Sequence, residues 1–225
     1  MSWLSTTFSS SLGKKLIMAL TGLFLCNFLV VHLIGNFQLL KADGGESFNL
    51  YAKFMTSNPL IKTTSYLLYA SILGHAIWGL FLVFKNKQAR PVAYHTAKNT
   101  SSWNSRNMGV LGTIVLAFII GHMSDFWWEY KFEEGFPVQI IDGVEYKNLY
   151  LEVMEAFKVP GIVAFYVFAM AAVAFHLHHG FQSAFQTLGL NHKKYTPIIK
   201  GFGAVFAYVI PAAFAAIPLI IFLRG

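Results

Sequence analysis

The chain has 225 residues, 56% of them apolar, 16% aromatic and 12% charged, with a mean hydropathy of +0.53. A soluble domain carries about 25% charged residues, so this composition excludes an ordinary soluble protein and points to an all-α polytopic membrane protein. The net charge of +7 does not mark a nucleic-acid binder, because the charge is sorted between segments, and the single Cys26 excludes an internal disulfide framework or a thiolate metal site.

Five membrane spans are predicted. Span I runs from about 16 to 40, LIMALTGLFLCNFLVVHLIGNFQLL, and contains no charged residue but carries His32. It is too long for a signal-peptide core and no A-x-A-like site follows it. Span II runs from about 63 to 84, after Pro59 and before Lys85. Span III runs from about 108 to 128 and ends in the aromatic run FWWEY, where Trp127, Trp128 and Tyr130 read as an interfacial belt. Span IV runs from about 159 to 188, with Pro160 suited to a first helical turn. Span V runs from about 198 to 223, with Pro211 and Pro218 expected to kink it. The longest connection, from about 129 to 158, contains a D-G pair between short apolar runs, which predicts a small hairpin. Residues 1–225 are expected to form a single transmembrane domain, with no separate soluble unit.

Charge fixes the predicted orientation. With the N-terminus inside, the inner segments hold Lys14, Lys15, Lys85, Lys87, Arg90, Lys98, Arg106, Lys193, Lys194 and Lys200, and no acidic residue. All ten acidic residues fall on the other side: Asp43, Glu46, Asp125, Glu129, Glu133, Glu134, Asp142, Glu145, Glu152 and Glu155. Basic inner loops set topology, so the N-terminus is expected in the cytoplasm and the C-terminus outside. An even number of spans would break this sorting.

Four of the eight histidines lie within spans, one on each of spans I to IV: His32, His75, His122 and His176. An ionisable residue inside a span is costly and is a functional-site candidate by default. His32 lies nine residues from Lys41 and His122 seven from Glu129, whereas His75 lies thirteen from Lys62 and His176 eighteen from Lys158. At 1.5 Å of rise per residue these are depths of about 14, 10, 20 and 27 Å. The four therefore form an outer pair, His32 with His122, and an inner pair, His75 with His176. Two imidazoles from facing helices at one depth suit the two axial positions of a haem. Zinc fits less well, because it wants four ligands at one point. His95 and His192 read as solvated loop residues. His178 points away from His176, and His179, one turn on, faces a similar way and suits a hydrogen bond to a haem propionate.

Glycine spacing agrees with two levels. Gly79 follows His75 by four residues and Gly180 follows His176 by four, which places each beside its histidine on one helix face. Gly22 precedes His32 by ten and Gly112 precedes His122 by ten, about 15 Å along each helix, near the inner level. A broad flat macrocycle needs such bare surface. Ordinary small-residue helix packing is the alternative.

Residues 12–36, LGKKLIMALTGLFLCNFLVVHLIGN, and 175–189, FHLHHGFQSAFQTLG, with SRNMG at 105–109, carry a family resemblance. The chain resembles the five-helix, dihaem cytochrome b subunit of succinate:quinone oxidoreductase (succinate dehydrogenase or fumarate reductase), over essentially its whole length. The resemblance implies two haems b with His32 and His122 as axial iron ligands of the outer haem and His75 and His176 of the inner. It implies a flavoprotein subunit with FAD and an iron–sulfur subunit with its clusters, both docked on the cytoplasmic face of the inner membrane. It implies electron transfer between these and a membrane quinone, menaquinone being expected. Fumarate reductases of the family can carry Glu two residues before the fourth ligand. Ala174 stands there in this chain, a departure that leans towards a succinate dehydrogenase. Asp43, Glu46 and Asp125 are candidate proton donors near the outer level, against the alternative that they are solvated acids.

The resemblance implies no catalytic residue for succinate in this chain, which also lacks a nucleophile–base arrangement, a phosphate loop and a hydrolase motif. Two other readings compete. Another haem b anchor, of a hydrogenase or a formate dehydrogenase, would share the haems and differ in its soluble partner. A histidine-relay transporter would lack haem, but five spans with one histidine on each of four do not divide into the inverted repeats common in transporters.

Overall fold

The computed structural model describes residues 10–88 and 102–224, so Arg90, His95 and Lys98 lie outside the described residues. The described chain is mostly helical, with five helices long and apolar enough to cross a membrane: Leu12–Leu40, Pro59–Lys85, Met108–Phe132, Pro160–Thr187 and Thr196–Arg224.

Helix α1, Ser11–Asn36, starts ahead of its apolar run because Ser10 caps it; the Gly13 N–H donates to Ser10 Oγ at 3.0 Å. Lys14 and Lys15 therefore sit inside the helix. Lys14 lays its ammonium over the rings of Trp78 and Phe81, 5.7 and 5.4 Å from their centroids. A 3₁₀ turn, Phe37–Leu40, ends this span. Helix α3, Pro59–Gln88, begins before the apolar run for a similar reason: Asn58 Oδ1 accepts from the N–H groups of Leu60 and Ile61, with Pro59 at the first position.

Between them lies a short helix the sequence reading did not anticipate, α2, Glu46–Ser57. Asp43 starts it. Its carboxylate accepts from the Gly45 and Ser47 N–H groups, both at 3.1 Å. The bonds to Ser47 and Gly45 hold its carboxyl below the usual carboxylate range. Asp43, a candidate proton donor by sequence, thus has a structural task.

Span III is α5, Met108–His122, preceded by the short α4, Trp103–Arg106. It continues as a π segment, Met123–Trp128, and a last turn, α6, Glu129–Phe132. The π segment begins at the residue after His122; π-bulges in helices are frequent at functional sites. The predicted aromatic belt divides here. Trp128 is exposed, but Trp127 donates from Nε1 to Tyr69 Oη at 2.9 Å, and Tyr130 packs on Phe136 beneath the Lys147 ammonium.

The predicted hairpin is present. Strands β1, Val138–Ile141, and β2, Val144–Lys147, pair antiparallel. Asp142 and Gly143 both have positive φ, 51° and 76°, as a type I′ turn requires. Helix α7, Leu149–Ala156, follows. Asn49 of α2, 1% exposed, knots these pieces together. Its amide donates to Gln139 Oε1 at 2.7 Å and Asn148 Oδ1 at 2.8 Å, and its oxygen accepts from the Tyr150 N–H. Both amide hydrogens and the amide oxygen are engaged, as burial demands.

Helix α8, Pro160–Thr187, is the centre of the bundle and holds the most buried stripe, including Val163, Tyr166, Ala169, Val173 and Leu177. It ends at Gly189, φ 76°, with the Leu190 N–H donating to Phe185 O and the Gly189 N–H to Gln186 O, a Schellman stop. Helix α9, Thr196–Arg224, runs through Pro211 and Pro218 as one element, with both prolines buried.

The packing has a definite order. Helix α1 packs on α3, α3 on α5, α5 on α8, and α8 back on α1; α9 lies outside this ring against α8 and α1. The diagonals, α1 with α5 and α3 with α8, do not pack along their length. The space down the middle of the ring is therefore bridged by side chains alone.

Candidate functional site

The ring order puts spans I and III on one diagonal and spans II and IV on the other. The four histidines sit on these diagonals. His32 and His122 face each other with ring centroids 5.7 Å apart and planes at 77°. His75 and His176 do the same at 6.3 Å and 64°. Each pair is a cross-bundle contact between helices whose backbones stay apart.

The two levels can be measured from the glycines. A Cβ on Gly22 of α1 would lie 3.3 Å from His75 Cε1, and one on Gly112 of α5 would lie 3.7 Å from His176 Cε1. Gly22 is ten residues before His32 and Gly112 ten before His122. Both helices thus separate the pairs by about 15 Å. The other two glycines are simply bare. A Cβ on Gly180 would meet nothing within 4 Å, and one on Gly79 would touch only Met18 at 3.8 Å.

The outer pair is walled by aromatic rings. Phe28 stacks on His32 at 5.1 Å and Phe214 of α9 approaches it at 5.5 Å; Phe118 and Phe126 flank His122 at 5.6 and 5.5 Å. His122 Nδ1 lies 3.2 Å from Tyr166 Oη of α8. In the inner pair, His75 Nδ1 lies 3.1 Å from Thr21 Oγ1 of α1, while His176 Nδ1 is buried with no hydrogen-bond partner. Neither Thr21 nor Tyr166 was singled out by the sequence. Their role depends on helix rotation, which hydropathy does not encode.

The remaining histidines do other things. His178 is bracketed by Asn104 at 3.1 Å and Gln182 at 3.3 Å and packs on Tyr208. This ties α8 to α4 and α9. His179 lines a cavity of about 320 Å3 between α8 and α9, with Gln182, Gln186, Asn191 and Lys200. His192 accepts from the Lys194 N–H in the turn before α9. Among the described residues no group of three or more His, Cys, Asp or Glu converges as a metal cluster; the donors come in twos.

That donor set fits a haem. A metal–imidazole bond is about 2 Å, so two imidazoles sharing one iron place their ring centres about 6 Å apart, the spacing of both pairs. Imidazoles paired across the bundle, bare helix surface at the glycines and a buried His176 Nδ1 with no partner among the described residues are what such a group would use.

No family model matches the chain, and no solved structure matches it. It is 24% identical over 165 residues to the succinate dehydrogenase cytochrome b558 subunit of Bacillus subtilis (strain 168), a match covering 73% of this chain and 73% of that protein. This similarity, with the five helices long and apolar enough to cross a membrane, supports a multi-pass membrane protein.

Proposed function

We propose that this chain is the membrane anchor and electron-transfer subunit of a succinate dehydrogenase. It joins a cytoplasmic iron–sulfur subunit, and through it an FAD-bearing flavoprotein, to a membrane quinone, with menaquinone expected, by way of two bis-histidine haems b. The observation that carries this reading is the pair of diagonal histidine contacts at two depths, combined with the similarity to the Bacillus subtilis subunit. The charge sorting supports an N-terminus in the cytoplasm, and the similarity to a respiratory anchor supports a place in the inner membrane.

The roles of the residues follow from their placement. His32 and His122 would hold the outer haem, and His75 and His176 the inner. Bound haem iron supplies reversible one-electron chemistry. Phe28, Phe118, Phe126 and Phe214 keep water from the outer level, and Gly22 and Gly112 leave room at the inner. The two levels divide the span of about 30 Å of hydrocarbon. Ala174 leaves no carboxylate beside His176, which favours succinate oxidation over the fumarate reductase alternative.

The test is the haem content of the purified protein with a reduced-minus-oxidised spectrum. Two b-type haems per chain are expected. One haem would mean that one pair is structural. A folded preparation with none would overturn the proposal and bring the transporter reading forward. FAD co-purifying with the intact complex separates this anchor from those of hydrogenases and formate dehydrogenases.

Gly22 offers a steric check. Valine there would drive its side chain into His75, since even a Cβ stands 3.3 Å from that ring. Gly22→Val is expected to lower inner-haem occupancy at least several-fold and leave the outer haem in place. The visible spectrum, titrated by potential, reads the two separately.

A further inference from the structure

The four rings are not held alike. Among the described residues His32 has the Asn36 amide alone, 3.4 and 3.5 Å from its two ring nitrogens, and that amide also donates to His32 O at 2.8 Å. His176 Nδ1 has no partner among the described residues. His122 meets the Tyr166 phenol. His75 meets Thr21, and there the protons can be counted.

Thr21 Oγ1 lies 2.7 Å from Ile17 O, four residues back on its own helix, and 3.3 Å from Met18 O. A threonine hydroxyl has one hydrogen and two lone pairs. Its hydrogen goes to the backbone carbonyl, the usual back-bond of a helical threonine. Towards His75, at 3.1 Å, the oxygen can then only accept. His75 must carry its proton on Nδ1, which leaves Nε2 with a bare lone pair. The other ring nitrogen's hydrogen bond decides which nitrogen can ligate a metal. Gly22, the next residue, admits the ring of His75 at the closest approach any of the four pocket glycines makes.

We propose that Thr21 and Gly22 form a two-residue seat on α1 for His75 of α3, with Thr21 a positioning residue. Gly22 makes room for the imidazole, and the Thr21 hydroxyl fixes its rotation and tautomer so that Nε2 faces the bundle axis as a ligand. The proposal rests on the reading that His75 ligates the inner haem. An imidazole that donates from Nδ1 is a more basic ligand; a more basic ligand favours ferric iron and lowers the potential. Thr21 therefore tunes the inner haem specifically.

The test uses the full chain in its membrane complex, with Thr21→Val, which keeps the shape and removes the hydroxyl, and Thr21→Ser, which keeps the hydroxyl. Each haem is titrated potentiometrically. Thr21→Val is expected to raise the midpoint potential of the inner haem, or to lose that haem, and to leave the outer haem unchanged. Thr21→Ser is expected to retain both haems with the inner potential near that of the parent. An inner potential unmoved in Thr21→Val overturns the proposal. So does a Thr21→Ser variant that behaves like Thr21→Val, because the role would then be steric. A shift confined to the outer haem overturns it too. A parent protein without an inner haem, or with that haem retained in His75→Ala, would instead defeat the functional reading beneath it.

Discussion

His122→Ala is expected to halve the haem of the purified protein, removing the outer haem and sparing the inner. His122 and His32 meet across the α1–α5 diagonal at 5.7 Å, and the side chains around them are Phe28, Phe118, Phe126 and Phe214. The phenylalanine rings offer no lone pair; the Tyr166 hydroxyl, 3.2 Å from His122 Nδ1, is the polar group on that side. Asn36, the polar side chain beside His32 among the described residues, donates to the His32 carbonyl. A single axial imidazole would remain, in a slot lined by these four phenylalanine rings and the Tyr166 phenol. The inner level is insulated from this change, because it lies about 15 Å further along both helices and is built from α3 and α8. A quantified haem extract combined with a potentiometric titration decides the matter. Two haems retained in His122→Ala would refute the assignment of this residue, and loss of both would refute the independence of the two levels.

The same counting shows how much was legible beforehand. Five spans could be read because each is an uninterrupted apolar run of membrane length, a signal that needs no tertiary information. The depths of the histidines were legible because helical rise is fixed: Gly22 lies at the level of His75, and Gly112 at that of His176, where residue counting put them. The D-G turn at Asp142 and Gly143 was legible because its backbone requires positive φ at both positions. Helix starts were not, since Ser10 and Asn58 cap α1 and α3 in polar segments beyond the apolar runs. Helix α2 was missed because it is short and its anchor is a polar knot at Asn49, whose partners are ninety and more residues away. The ring order of the helices, which places the pairs on diagonals, depends on packing and has no local signature. Thr21 and Tyr166 escaped notice for that reason: each acts on a histidine of another helix.

His176 and His179 give the second large effect, because they stand one turn apart and only one can serve the inner pair. The ring of His176 lies 6.3 Å from that of His75, and its Nδ1 is buried without a partner. His179 instead borders a polar cavity with Gln182, Gln186 and Lys200 at the end of α8. His178, between them in sequence, is held by Asn104 and Gln182 and cannot swing inward without giving up both contacts. His176→Ala is therefore expected to remove the inner haem and cut total haem by about half, and His179→Ala to keep both haems. The two substitutions remove the same atoms from the same helix, and an outer haem retained in His176→Ala separates lost ligation from a general loss of bundle stability. Opposite spectra would come only from a difference in ligation. Inner haem lost in His179→Ala and retained in His176→Ala would transfer the ligand by one turn, and the Gly112 contact with His176 would then be packing alone.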